Sequence, residues 1–322
     1  MKRLTQIEAA ELLRRSEVVA IPTETVYGLA ADARCDVAVG KIFKAKGRPA
    51  DNPLIVHIGA VSQVDELATN VSQKARLLMD RFWPGPLTVI LPSNGCVSSL
   101  VTAGLKSVGV RMPDHPQTLA LLQALKVPLA APSANLSGKP SPTTAAHVAF
   151  DLKGRIPGVL DGGVCQVGLE STVIDMTKET PVILRPGGID QAEIEAVIGC
   201  VEVATGSEEK PKSPGMKYTH YAPDAQVYVV KGSRVYMEKM VRQYGQEGNL
   251  VGVLSVDANG GDFPSAKYVK NIGFKGKHLY AALRDCDAKG IDVVLCEWVS
   301  DAAVMDRLLK ASEERVLNEV ED

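Results

Sequence analysis

Three cations stand at alternate positions in Lys44-Ala45-Lys46-Gly47-Arg48-Pro49, ahead of Ala50-Asp51-Asn52-Pro53 and the apolar run Leu54-Ile55-Val56-His57-Ile58. Pro49 biases Arg48 away from helical backbone, and Pro53 does the same to Asn52. In an extended chain alternate side chains share a face. Lys44, Lys46 and Arg48 would then span roughly 14 Å at ~3.4 Å per residue, the reach of an extended polyphosphate. A continued helix would still put Lys44 and Arg48 on one face. The competing reading is a solvated basic helix end, favoured by the C-terminal dipole.

Other residues could complete a site. Ala130-Ala131-Pro132-Ser133-Ala134-Asn135 closes an expected strand with small side chains that let a ligand approach the backbone, while Ser133 and Asn135 offer hydrogen bonds. Ser137 and Ser141 add hydroxyls, although ordinary turn chemistry explains the same composition as a helix-capping loop. Arg111 ends the strand Ser107-Val108-Gly109-Val110-Arg111, where a guanidinium needs a partner. That partner is either a bound carboxylate or phosphate, or a salt bridge to Asp114 or another acid. Arg185 repeats the pattern before Pro186-Gly187-Gly188, and Ser171 stands just before an expected strand. His57 reads as a satisfied core histidine or as a site residue. No GxGxxG, P-loop, GxSxG or HExxH pattern is present, so a nucleotide would be held by an unusual arrangement.

The elements that must position these residues begin with a Thr5/Glu8 capping-box spacing before a helix to about Arg15. Strands are expected at 18–21, 54–58, 87–91, 108–111, 127–131, 159–160, 172–175 and 181–184, with Pro22–Leu29 as a polar turn. Helices are expected from Asp36, near 62–69 and 72–82, and at 117–126, 143–151 and 191–198. Strands outnumber helices without alternating cleanly, which predicts an α/β domain with a mixed, twisted sheet and flanking helices. Residues 204–224 have linker composition. Strands near 226–230, 250–256 and 291–296 then alternate with helices near 233–244, 278–288 and 301–313, the pattern of a smaller, Rossmann-like parallel α/β domain. The domains are accordingly 1–203 and 225–322.

At 322 residues, 45% hydrophobic and 23% charged, the chain is long enough for two globular domains. Its formal charge of -2 argues against a protein that works by coating nucleic acid. The six cysteines are scattered with no CxxC, so neither a zinc site nor a disulfide framework is expected. A charged amphipathic N-terminus and the lack of any run of about 20 apolar residues point to a cytoplasmic protein with no membrane partner.

Taken together, several motifs resemble the threonylcarbamoyl-AMP synthase family in its long Sua5 form, with a YrdC-like first domain. They are Pro22-Thr23-Glu24-Thr25-Val26-Tyr27-Gly28-Leu29, Lys46-Gly47-Arg48-Pro49 with Asn52-Pro53-Leu54, Ser107–Arg111, Pro132–Gly138, Glu170-Ser171-Thr172-Val173 and Leu184-Arg185-Pro186-Gly187. Ser213-Pro214-Gly215-Met216-Lys217-Tyr218-Thr219-His220-Tyr221-Ala222-Pro223 resembles the linker of the long form, whereas 225–322 matches in length and β/α pattern only. The resemblance implies that L-threonine, bicarbonate (or carbon dioxide) and ATP give threonylcarbamoyl-AMP and pyrophosphate. The product would serve the threonylcarbamoyladenosine modification of tRNA through separate downstream transfer proteins.

By position, the resemblance assigns Lys46 and Arg48 to catalysis and to the ATP phosphates, with Asn52. Ser107, Ser133, Asn135, Ser141 and Arg185 would place the nucleotide, and Tyr221, in a linker that closes over it, would touch it. Thr25, His57, Arg111, Ala131 and Ser171 would line the L-threonine pocket, with Arg111 on the carboxylate. Relatives often carry threonine where Ser107 stands, which keeps the hydroxyl. Mg2+ would arrive with ATP, and no protein metal site is implied. The rival reading is a non-catalytic RNA-binding accessory protein using the same basic cleft, and weak tRNA binding is compatible with either.

Overall fold

The computed structural model describes residues 1–204, 221–256, 263–273 and 275–319. The chain divides into two compact units, one of Met1–Ser137 with Pro142–Lys217, the other of Gly138–Ser141 with Tyr218–Asp322.

The first unit is built on strands β1 (Lys2–Leu4), β2 (Val19–Ile21), β3 (Gly28–Asp32), β4 (Ile55–His57), β5 (Leu87–Pro92), β6 (Ser107–Arg111), β7 (Leu129–Ala130), β8 (Gly158–Leu160), β9 (Thr172–Asp175), β10 (Val182–Arg185) and β11 (Glu202–Val203). They lie side by side in the order β1-β8-β2-β3-β7-β4-β6-β5-β9-β10-β11. The sheet is mixed, as the irregular alternation of elements predicts: β4 and β6 run parallel, as do β5 and β9, while β4–β7 and β5–β6 are antiparallel. Helices α1 (Gln6–Arg14), α2 (Asp36–Lys46), α3 (Gln73–Phe82), α4 (Ser99–Thr102), α5 (Pro116–Leu125), α6 (Ala145–Leu152) and α7 (Gln191–Ile198) accompany it. The expected Thr5/Glu8 capping box is formed at α1.

Period-two alternation divides the strands between two faces. Val56, Val108, Val110, Leu87, Val89 and Leu91 join the main core with Ile42 of α2 and Leu78 of α3. The opposite face is apolar in two places. Val19, Ile21, Leu129 and Ala131 pack with Leu13 of α1 and Leu121 and Leu125 of α5. Ile90, Val173, Val182 and Leu184 form the second patch. Between these patches run β4 and β6, whose residues on this face include His57, Ser107 and Arg111.

Three local expectations are corrected. Lys44 and Lys46 sit in the last turn of α2, which stops at Gly47 in the left-handed region (φ 61°), so the three cations do not form one extended row. The reason is that Pro49 restrains only Arg48, while glycine is the cheapest left-handed cap. Pro22–Leu29 is not all turn, because β3 begins at Gly28. The expected short helix near 62–69 is a 3-10 turn at Val61–Glu66.

The second unit is an all-parallel sheet of β12 (Gln226–Lys231), β13 (Val251–Ser255), β14 (Tyr268–Asn271), β15 (Val293–Glu297) and β16 (Val316–Asn318), ordered β14-β13-β15-β12-β16. It alternates with α8 (Arg234–Gln246), α9 (Leu279–Ala288) and α10 (Ala302–Ala311). Strands β14 and β16 were not expected. Both are short and end in polar residues. Among the described residues no helix is long and apolar enough to cross a membrane.

Two glycines separate packing from propensity. A Cβ at Gly187 would come closer to the backbone of Ser171 and Thr172 than real Cβ atoms do, whereas one on Gly40 of α2 would meet nothing within 4 Å. Gly187→Ala is expected to cost about 2 kcal/mol or more, and Gly40→Ala to add about 0.8 kcal/mol. Urea midpoints measure both. An unchanged midpoint for Gly187→Ala would contradict the close approach of these two segments.

Candidate active site

His57 and Arg111 are register partners at the ends of parallel β4 and β6, and both are buried, at 3% and 4% exposure. Arg111 Nε donates to the carbonyl of Gly85 at 3.1 Å. Its Nη2 lies 2.6 Å from Oε1 of Glu24, an equally buried acid in the loop after β2. Backbone N–H groups of Val167 and Gly168 donate to the carbonyls of Glu24 and Thr25 and fix that loop. The acid beside Arg111 is therefore Glu24 and not Asp114. Among the described residues, Glu24 Oε2 accepts no hydrogen bond and Arg111 Nη1 has no partner.

Burial, and secondarily the Arg111 charge, push the His57 pKa down to about 3, so its ring is neutral. Its Nδ1 has no hydrogen-bond partner. Thr25, fully buried, is held through a 2.8 Å hydroxyl–hydroxyl contact with Thr23. Ala131 packs in the α1/α5 patch, and its N–H donates to the carbonyl of Ile55.

Farther along the sheet, Arg185 Nη2 donates to the Ser171 carbonyl at 3.0 Å and to its hydroxyl at 3.3 Å. That hydroxyl is 2.8 Å from Thr88 Oγ1, so β5, β9 and β10 share one buried polar cluster. Arg185 escapes the strict alternation of β10 because the β9–β10 register shifts between Ile183 and Arg185.

Lys46 is buried in the last turn of α2. Its ammonium donates to the carbonyls of Ser133 and, at 2.7 Å, Asn135, and contacts Asn135 Oδ1 at 3.4 Å. The 133–135 loop is thereby wrapped round the lysine. Arg48 Nη2 donates to the carbonyls of Asn52 (3.1 Å) and Pro53 (3.3 Å). The Asn52 side chain, 1% exposed, has no hydrogen-bond partner for either amide atom. Lys44, by contrast, is exposed and lines an outer groove with Glu17, Lys41 and Arg155.

Ser107 is half-buried at the start of β6, on the face of Arg111. Ser141 and Tyr221 belong to the second unit. Tyr221 is buried there with φ 66°, its ring 5.2 Å from that of Tyr280 and 5.7 Å from the Arg307 guanidinium. Tyr218 and His220 lie outside the described residues. Sequence reasoning missed Glu24 and Thr88. The available signals were an acid set between two threonines and a lone hydroxyl inside the apolar run Leu87-Thr88-Val89-Ile90-Leu91.

A family profile described as "Telomere recombination" (Sua5_yciO_yrdC) matches residues 11–187, and one described as "Threonylcarbamoyl-AMP synthase, C-terminal domain" matches residues 189–313. The chain is 51% identical to the threonylcarbamoyl-AMP synthase of Bacillus subtilis (strain 168), over 96% of this chain and 93% of that one. To its counterpart in Pyrococcus abyssi it is 47% identical, over 96% and 94%. The crystal structure of P. abyssi Sua5 complexed with L-threonine superposes with a TM-score of 0.92 at 45% identity, covering 99% of this chain and 98% of that one. Fold and relatives define the class, a nucleotidyltransferase-type enzyme on a YrdC-like domain. The chain belongs to the threonylcarbamoyl-AMP synthase family, in its two-domain Sua5 form.

The neutral His57 has a consequence for stability. Its folded pKa, about 3, lies below the ordinary value of 6.5, so the unfolded chain alone takes up a proton as pH falls through 6.5. Stability is therefore lost between about pH 6.5 and about pH 3. From pH 7 to pH 5 the parent protein is expected to lose about 2 kcal/mol more than His57→Gln. Parallel denaturant titrations check this, and equal losses would mean that His57 is protonated in the fold.

Proposed function

We propose that the polar strip between the two apolar patches binds L-threonine, and that the Lys46–Asn52 stretch with the 133–135 loop binds the phosphates of ATP. One observation carries this reading. Buried polar atoms of His57, Glu24 and Asn52 have no hydrogen-bond partners within the described fold, the Glu24–Arg111 ion pair aside. Such groups are costly unless something completes them. A small zwitterionic amino acid and a polyphosphate would do so.

In this reading Arg111 takes the threonine carboxylate through its planar fork. His57, Thr25, Ala131 and Ser171 shape the rest of the pocket. Lys46, Arg48 and Asn52 neutralise and position the phosphates, while Ser107, Ser133, Asn135 and Arg185 place the nucleotide. The amine of threonine takes up carbon dioxide, and the resulting N-carboxylate attacks the α-phosphorus in line as pyrophosphate leaves. No protein nucleophile is required. Orientation and preorganised charge carry the catalysis. Magnesium would enter with ATP, held chiefly by phosphate oxygens and water. Threonylcarbamoyl-AMP would pass to separate transfer proteins acting on tRNA.

The direct test is pyrophosphate release that requires both L-threonine and bicarbonate. Release from ATP without either would contradict the proposal. Arg48→Ala is expected to lower that rate by about 100-fold or more while leaving calorimetric threonine affinity nearly unchanged. Lost threonine affinity would move Arg48 into the other pocket. Serine, lacking one methyl, should be disfavoured by about 1–3 kcal/mol, and valine, lacking the hydroxyl, more strongly. Competitive turnover of the three amino acids measures this, and valine turned over as fast as threonine would exclude a hydroxyl-reading site.

A further inference from the structure

We propose that Glu24 is a further catalytic residue, whose carboxylate binds the α-ammonium of threonine and accepts the proton that the amine must lose before it adds carbon dioxide. The inference deepens the reading above and rests on Arg111 as the carboxylate grip. Glu24 Oε1 lies 2.6 Å from Arg111 Nη2, and among the described residues this is the one acid paired with that guanidinium. The acid is 6% exposed; Oε1 has the ion pair alone, and Oε2 has neither an ion pair nor a hydrogen bond. A carboxylate can accept at both oxygens, so half of its capacity stands open in a buried position.

The pair is matched to an amino acid. An α-amino acid carries its carboxylate and ammonium on one carbon. With the carboxylate on the open Nη1 of Arg111, the ammonium faces the acid at Nη2. Four charges then alternate, anion to cation to anion to cation, and each buried charge has a partner of opposite sign. The loop that holds Glu24 is fixed by Val167 and Gly168 through its backbone, so the carboxylate is positioned before substrate arrives.

The chemistry also needs a proton acceptor at this place. An ammonium has no lone pair and cannot attack carbon dioxide. Glu24 takes one N–H proton and becomes a carboxylic acid, leaving the amine. The nitrogen lone pair forms the N–C bond to carbon dioxide while one C=O π pair moves onto oxygen. The second N–H proton leaves to water, and the N-carboxylate results. Its oxygen then bonds to the α-phosphorus of ATP as the bond to pyrophosphate breaks, and Glu24 returns its proton to solvent.

The test compares L-threonine with 3-hydroxybutyrate, which keeps the carboxylate and hydroxyl but lacks the ammonium. Calorimetry on the full chain should show threonine bound about tenfold or more tightly than 3-hydroxybutyrate. Glu24→Gln should lose that preference, weakening threonine while leaving 3-hydroxybutyrate within about twofold. At saturating threonine its pyrophosphate release should fall by about 100-fold or more. Equal weakening of both ligands would overturn the proposal, because Glu24 would then act only through Arg111. Unchanged turnover at saturation would overturn it as well. Arg111→Ala tests the parent reading separately: if it binds both ligands normally, the pocket lies elsewhere and both readings fall. Should Glu24→Gln not fold by circular dichroism, Glu24→Asp replaces it. That variant keeps the charge and should retain a preference for threonine, and its complete loss would contradict the proposal.

Discussion

A guanidinium buried at the end of a sheet strand cannot be left without an anion. In a low-dielectric setting, removing one member of such a pair typically costs about 3–5 kcal/mol. Arg111 is delivered to its place by β6, and the surrounding chain is arranged to satisfy it. The turn after α3 supplies the carbonyl of Gly85, and the loop after β2 supplies Glu24. The segment Val167–Gly168 holds that second loop in turn. The protein thus maintains a fixed, buried positive–negative pair beside the sheet face that carries His57 and Ser107 between two apolar patches.

On the same face the middle of β6 carries no side chain. Gly109 sits between Ser107 and Arg111 on β6, and a Cβ there would touch Thr88, Ile90 and Ile55 at 3.4–3.9 Å. Glycine keeps this floor flat next to the charged pair. To either side the apolar patches anchor the sheet, so the polar strip does not have to provide stability. At the end of α2, Lys46 illustrates a different use of charge. Its ammonium organises the carbonyls of a small-residue loop, so the loop and the cation form one structure. The second unit stores an unusual backbone at Tyr221, where a bulky residue in the left-handed region is held between an aromatic ring and a buried arginine.

Much of this was legible in the sequence. Strands ending in Arg111 and Arg185, and the cap at Thr5, are local signals, because hydrophobic period and turn residues act over a few positions. The β/α alternation of the second unit was visible for the same reason. The row of Lys44, Lys46 and Arg48 misled, since proline restrains only its predecessor and the helix continued to its glycine cap. Strands β1, β3, β11, β14 and β16 were hidden, β3 in an alanine-rich run and the others in short segments whose order comes from their neighbours. Glu24 was the more consequential omission. Its importance depends on which strand end faces it across the fold, and spacing along the chain carries no trace of that pairing. Thr88 was missed likewise, because its partner Ser171 is distant in sequence.

The most direct measurement is a crystal structure of this chain with L-threonine and a non-hydrolysable ATP analogue bound together. The expected result is the amino acid inserted at Arg111, its carboxylate on the guanidinium and its nitrogen toward Glu24, with the phosphates along Lys46, Arg48 and Asn52. Both ligands bound elsewhere, with the Arg111–Glu24 pair undisturbed and the strip between the apolar patches empty, would contradict it.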